Sequence, residues 1–269
     1  MNAQSLHDAV AELIRHVAQT AIQPHYQRLA SHQIEAKAAD DVVTVADKLS
    51  EEMLTEGLMK IMPGLAVVGE EATHADAGVL DGLAGDCWIV DPLDGTRNFA
   101  AGKPPFGILI AMASGGVTHT GWIYDVLTDR LCVAHQGKGA FVNGERITAR
   151  VTGETPPVAA LSLIFLDPAR RQAVLDHVAP HYRMVDVPYC AAEQYPRLAL
   201  GENDVSIFER TLAWDHAAGD LWLNEAGGRC ARPDGSPYRV DEITRTGLIG
   251  AASPALWEDM ARRMEAIPG

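Results

Sequence analysis

The chain has 269 residues, 47% hydrophobic and 22% charged, which suffices for one large core or about two domains and excludes a disordered chain. Its 36 acidic and 22 basic residues leave a formal charge of −14. With no lysine and arginine cluster to offset that charge, nucleic acid and anionic membranes are excluded as partners.

Apolar residues at helical spacing predict helices over Leu6 to Leu29 and Ala46 to Met62. Strands are expected at Ala66 to Val68 and Trp88 to Val90. Phe106 to Ala113, Thr118 to Tyr124, Arg130 to His135 and Gly139 to Val142 then read as an antiparallel meander, punctuated by Ser114-Gly115-Gly116 and Asn143-Gly144. From Val158 the pattern alternates: strand Ala160 to Phe165, helix Pro168 to Val178, strand Met184 to Val187, helix Ala191 to Leu200, strand Val205 to Phe208. A helix near Asp215, a strand at Leu248 to Ala251 and a helix from Pro254 to Ile267 complete it. Gly153, Pro156 and Pro157 break the periodicity between Arg150 and Pro157. The expected division is therefore an α+β domain over 1–150 and an α/β domain over 151–269 that completes the site.

The four cysteines, Cys87, Cys132, Cys190 and Cys230, lack metal-ligand spacing and read as reduced thiols. Met1 to Ala30 lacks the basic start and apolar core of a signal peptide, and no run of roughly 18 apolar residues occurs. The expectation is a cytoplasmic protein.

Trp88 to Phe99 carries the densest chemistry. An apolar strand delivers Asp91, Pro92 interrupts the ladder, and Asp94 follows three residues later. The two carboxylates and the Leu93 carbonyl offer the hard oxygens that magnesium prefers. Gly95 permits close backbone approach, and a short helix from Thr96 would turn its first amides toward an anion. A second apolar run ends in Gly69-Glu70-Glu71, bringing Glu70 to the same sheet edge. Asp215 lies near the start of a helix in Trp214-Asp215-His216-Ala217-Ala218-Gly219. Taken singly, these acids are an Asp-Gly turn, a solvated loop and a helix cap. Their combination points to metal-assisted phosphate chemistry.

Gly69-Glu70-Glu71, Asp91-Pro92-Leu93-Asp94-Gly95-Thr96 and Trp214-Asp215-His216-Ala217-Ala218-Gly219 resemble the signatures of the inositol monophosphatase family. Asp41-Val42-Val43-Thr44-Val45-Ala46-Asp47 resembles its threonine and aspartate motif. The resemblance implies layers in αβαβα order, a homodimer, and two or three Mg2+ ions held by Glu70, Asp91, the Leu93 carbonyl, Asp94 and Asp215. It further implies that Asp47 and Thr96 orient the attacking water, with Glu70 also catalytic, and that the Gly95 and Thr96 amides hold phosphate. The implied reaction is hydrolysis of a small phosphate monoester, with inositol 1-phosphate or a related polyol or sugar phosphate as substrate.

Two segments depart from the family. A helix start that commonly reads Gly-Ser/Thr-Ala is matched here by Cys190-Ala191-Ala192, which are expected to meet substrate. The family tends to place a glutamate seven residues before the tryptophan-linked aspartate; Phe208 holds that position, with Glu209 and Arg210 after it. Strand alternation would turn Glu209 away from the pocket and Arg210 toward it. Histidinol-phosphate phosphatase is the nearest alternative, fructose bisphosphatase and nucleotide 3′-phosphatase rank lower, and a non-catalytic metal-responsive regulator is the alternative of another class.

Overall fold

The computed structural model describes residues 3–38 and 41–267; the side chain of Asp41 lies outside the described residues. Helix α1 (Ala3–Val17) runs into a wider turn at Ala18–Ile22 and a tight turn at Gln23–His25. The helix predicted to Leu29 thus stops early, because Pro24 lacks the N–H that the helical ladder requires. A hairpin of β1 (Ile34–Ala38) and β2 (Asp41–Thr44) leads into α2 (Val45–Ile61). The sequence reading has no counterpart to this hairpin.

The next strands form one seven-stranded sheet: β3 (Ala66–Gly69), β4 (Asp86–Asp94), β5 (Gly107–Ser114), β6 (Val117–Asp125), β7 (Arg130–His135), β8 (Gly139–Val142) and β9 (Glu145–Ile147). Helix α3 (Glu70–Ala75) follows β3, and α4 (Thr96–Ala100) follows β4. The expected meander is present, with β9 added at its edge. The sheet's first strand pair, β3 and β4, lies outside the meander and is parallel, so both strands end on the same side.

The second half contains β10 (Val158–Leu161), α5 (Pro168–His177), β11 (Arg183–Met184), α6 (Ala191–Ala199), β12 (Val205–Phe208), α7 (Ala213–Glu225), β13 (Arg229–Ala231), β14 (Leu248–Ala251) and α8 (Pro254–Glu265). Its five-stranded sheet has the order β11-β10-β12-β14-β13. Two strands are shorter than their apolar runs. Ile164 and Phe165 lie in a turn rather than in β10, and β11 ends at Met184.

The central strands are buried on both faces, and successive side chains alternate between two cores as a period of two demands. Trp88, Val90, Ile108, Ile110 and Trp122 pack with Val10, Ile14, Leu54 and Leu58 of α1 and α2. Cys87, Ile89, Leu109, Ala111 and Ile123 face the other way, onto Tyr195 and Leu198 of α6 and Ala217, Ala218 and Trp222 of α7. The small sheet packs Leu161, Val205 and Ile249 against Val174 of α5 and Trp257 and Met260 of α8. The resulting order is helices, large sheet, helices, small sheet, helices. Close contact in the central layer requires Gly121: a Cβ there would sit 2.8 Å from the Ala218 Cα.

Candidate active site

The site gathers where β3 and β4 end. Along β4, Asp91 pairs with Leu109 but Asp94 pairs with Gly107, so three residues on one strand advance against two on its neighbour. This is a bulge at Pro92 and Leu93. In a regular strand, residues three apart point to opposite faces; the extra residue restores a common face. Asp91 and Asp94 converge for that reason. The strand therefore does not stop at Asp91, as the sequence reading expects, but bends through the proline and ends at Asp94.

Asp215, in the first turn of α7, completes the cluster. Carboxylate oxygens of Asp91, Asp94 and Asp215 all lie within 4.8 Å of one another. Glu70 begins α3 at the end of β3 and lines the same cavity. Crowding acids in a buried site disfavours their charged forms. Burial, and then repulsion from Glu70, holds Asp91 well above the ordinary carboxylate range. The same two causes push Asp215 up to about 8. Asp94 rises to about 6, chiefly through burial, although the Cys190 thiol and the Ala192 amide oppose the shift.

The donor set is all hard oxygen, and its repulsion is what a divalent cation relieves. The residues thus fit magnesium. The Leu93 carbonyl, expected as a further ligand, accepts the Thr96 hydroxyl at 2.8 Å.

Thr96 is also 2.9 Å from Asp47 Oδ1, so its single proton has two acceptors. Asp47 occupies the third position of α2 and accepts from the Thr44 amide at 2.8 Å, while Thr44 Oγ1 accepts from the Ala46 amide at 3.1 Å. This capping box locks Asp47 in place. Asp47 thus serves two elements at once: one carboxylate oxygen caps the helix and the other meets Thr96. Burial raises Asp47 to about 6. Gly95 carries the required left-handed φ of +83°, and a Cβ there would lie 2.8 Å from the Pro105 carbonyl.

The second half contributes unevenly to what the sequence proposes as substrate contacts. Cys190 and Ala191 line the cavity. Ala192 does not: it is buried, and its amide donates to Asp94 Oδ2 at 2.7 Å. The start of α6 is thereby committed to holding a carboxylate of the other half. The strand-alternation argument for Glu209 also fails, because β12 ends at Phe208 and period two no longer governs the next residues. Glu209 and Arg210 both line the cavity. Arg210 Nη2 stands 3.9 Å from Asp215 Oδ2, and its guanidinium lies 4.3 Å from the centre of the Phe165 ring.

His216, beside Asp215, is buried and packed against Phe208. Its Nε2 lies 3.0 Å from the Arg210 carbonyl, and Nδ1 lies 2.8 Å from Tyr195 Oη. A carbonyl only accepts, so Nε2 carries the proton and Nδ1 accepts from the tyrosine. Burial pushes the imidazole down to about 3, which keeps it neutral.

Two residues escaped sequence reasoning. Glu51 of α2 is buried and accepts the amides of Glu71 at 2.8 Å and Ala72 at 2.7 Å, fixing the start of α3 behind Glu70. Nothing in local spacing marks a glutamate that acts twenty residues away. Gln194 of α6 lines the cavity while 2% exposed, and among the described residues neither its Nε2 nor its Oε1 has a hydrogen-bond partner.

An acid cage at a sheet edge, backed by a threonine and aspartate pair, defines the class of metal-dependent hydrolase. The inositol monophosphatase family model matches residues 2–268. The inositol-1-monophosphatase of Bacillus subtilis is 32% identical over 209 residues, 76% of this chain and 78% of its own. The Nus factor SuhB of Pasteurella multocida is 32% identical over 252 residues, 89% and 88% of the two chains. The crystal structure of the extragenic suppressor protein suhB from Bartonella henselae superposes with a TM-score of 0.82 at 25% identity, covering 97% of this chain and 99% of that one. The chain belongs to the inositol monophosphatase family and is a phosphoric monoester hydrolase. Among the described residues no helix is long and apolar enough to cross a membrane.

Proposed function

We propose that this protein hydrolyses a small phosphate monoester with the help of Mg2+, in the cytoplasm and as a homodimer. The observation that carries the reading is the convergence of Asp91, Asp94 and Asp215 within 4.8 Å in a cavity that Glu70 also lines. These four carboxylates and the Leu93 carbonyl are the proposed ligands for two or three ions. Bound magnesium would supply charge neutralisation for the phosphoryl oxygens and acidify a water molecule.

The chain's own groups do the rest. Thr96 donates its hydroxyl proton to Asp47 and keeps a lone pair free to accept from the attacking water. Asp47, held by the capping box, is the proton acceptor at the end of that relay. The Gly95 and Thr96 amides hold phosphate oxygens where the backbone approaches most closely. Glu70 balances cation charge. Cys190, Ala191, Glu209 and Arg210 border the leaving alcohol. Inositol 1-phosphate and related polyol or sugar phosphates are the reference substrates, and histidinol phosphate is the alternative.

A second reading, a metal-responsive regulator with weak turnover, is favoured by the relatives named Nus factor SuhB. Phosphate release from inositol 1-phosphate, histidinol phosphate and fructose bisphosphate, measured against Mg2+ concentration, separates the two. Magnesium-dependent release from any of them supports the phosphatase. No release from all of them, with a partner copurifying, supports the regulator.

A further inference from the structure

The cavity that holds the carboxylates is also lined by an aromatic and apolar group, Ile164, Phe165, Val187, Tyr189 and Phe208, with Gln194, Glu209 and Arg210 among them. Phe165 is 46% exposed and Tyr189 57% exposed, two large rings left open at the mouth of a polar site. Exposed aromatics are normal when scattered singly; two on one cavity rim mark a contact surface.

Both rings are presented on fixed backbone. The turn bearing Phe165 is clamped by Arg171, whose Nε donates to the Leu163 carbonyl at 3.0 Å and whose Nη2 donates to those of Ile164 and Leu166 at 3.0 and 3.3 Å. Tyr189 sits at a φ of +51°, a left-handed conformation that a bulky side chain adopts only when its surroundings impose it. The preceding carbonyl, that of Pro188, is held at 2.9 Å by Asn98 Nδ2, from the helix that follows the Asp91 to Gly95 motif. The same nitrogen donates to the Pro105 carbonyl.

Arg210 joins the two walls, 3.9 Å from Asp215 on one side and 4.3 Å from the Phe165 ring centre on the other. The Phe165 ring therefore lies one guanidinium away from the Asp215 carboxylate. A polyol's hydroxyls gain nothing from the faces of Phe165 and Tyr189, which offer no carbonyl or carboxylate oxygen to accept them. A flat unsaturated ring would gain edge or face contact with Phe165 and Tyr189 and lie beside a guanidinium.

We propose that the preferred substrate of this site is a phosphate monoester whose alcohol carries a planar unsaturated ring, seated on Phe165 and Tyr189 next to Arg210. This rests on the phosphatase reading above.

The test is steady-state phosphate release with saturating Mg2+ from three esters: benzyl phosphate, its saturated counterpart cyclohexylmethyl phosphate, and inositol 1-phosphate. The expected result is a kcat/KM for benzyl phosphate about tenfold or more above each of the others, expressed mainly in KM. In Phe165→Ala and in Tyr189→Gly, where glycine suits the left-handed backbone, the benzyl to cyclohexylmethyl ratio should collapse toward one. Equal rates on all three esters, a preference for inositol 1-phosphate, or a ratio untouched by both substitutions would overturn the ring assignment and leave the phosphatase standing. Release from none of them, or from any other monoester, would remove both readings.

Discussion

The acidic floor of the cavity comes from the ends of β3 and β4, the starts of α2 and α3 and the first turn of α7, whereas its aromatic wall comes from segments just beyond β10 and β11 and from the end of β12. The floor is over-determined. Asp91 and Asp94 share a face because of one bulge, Asp47 is locked by a capping box, and Glu70 is backed by Glu51. The wall is carried by turns, held at a few points by Arg171 and Asn98. A phosphate group is the same in every monoester and rewards a rigid receptor, while the alcohol differs between substrates and is read by loops. On the proposed reading, one region fixes the reaction and the other selects the substrate.

The sharpest way to break that division is Asp91→Asn. Removing a carboxylate from the centre of the cage should lower phosphate release by about a thousandfold or more. It should also abolish the rise in melting temperature that Mg2+ gives the wild type, a readout independent of turnover. Because Asp91 is crowded by Glu70, Asp94 and Asp215, the variant without Mg2+ should melt no lower than the wild type without Mg2+. Retained activity would take Asp91 out of the floor.

A smaller effect is expected at Glu51, which touches backbone amides rather than the cavity centre. Glu51→Ala should raise the Mg2+ concentration for half-maximal activity by about 10- to 100-fold. Glu51→Gln, which keeps one acceptor oxygen, should recover part of the loss. Equal defects in both variants would point to charge rather than positioning.

The smallest effect sharpens the wall. Gln194 buries two unpaired polar atoms, so Gln194→Leu should raise the unfolding free energy by about 1 kcal/mol in urea titrations and raise KM for the substrate. A stabilised variant with unchanged KM would remove Gln194 from substrate recognition.

Much of the floor was legible in the chain because its chemistry is local. Asp91, Pro92, Asp94 and Gly95 announce a strand, a break and a tight turn within five residues. Much of the order of strands and helices followed from periodicity, since one face of a strand recurs every second residue and one face of a helix every third or fourth, but the short elements β1, β2, α3, β9 and β13 did not. Periodicity failed where apolar residues serve a cavity instead of a core. Ile164 and Phe165 continue the run of β10 but belong to a turn, and Val187 lies beyond the end of β11.

Tertiary structure alone decided the pairings that cross the chain. The Ala192 amide meets Asp94 across 98 residues, and Glu51 reaches α3 across 20, distances over which no spacing rule operates. It also decided that β12 ends at Phe208, releasing Glu209 and Arg210 from the alternation that would have sent one of them away from the cavity. What the amino-acid order determined was the identity of the acids and the local bends that aim them. Which of them share a space, and what faces them, depended on how two sheets pack through one helical layer, because only packing brings distant backbone ends together.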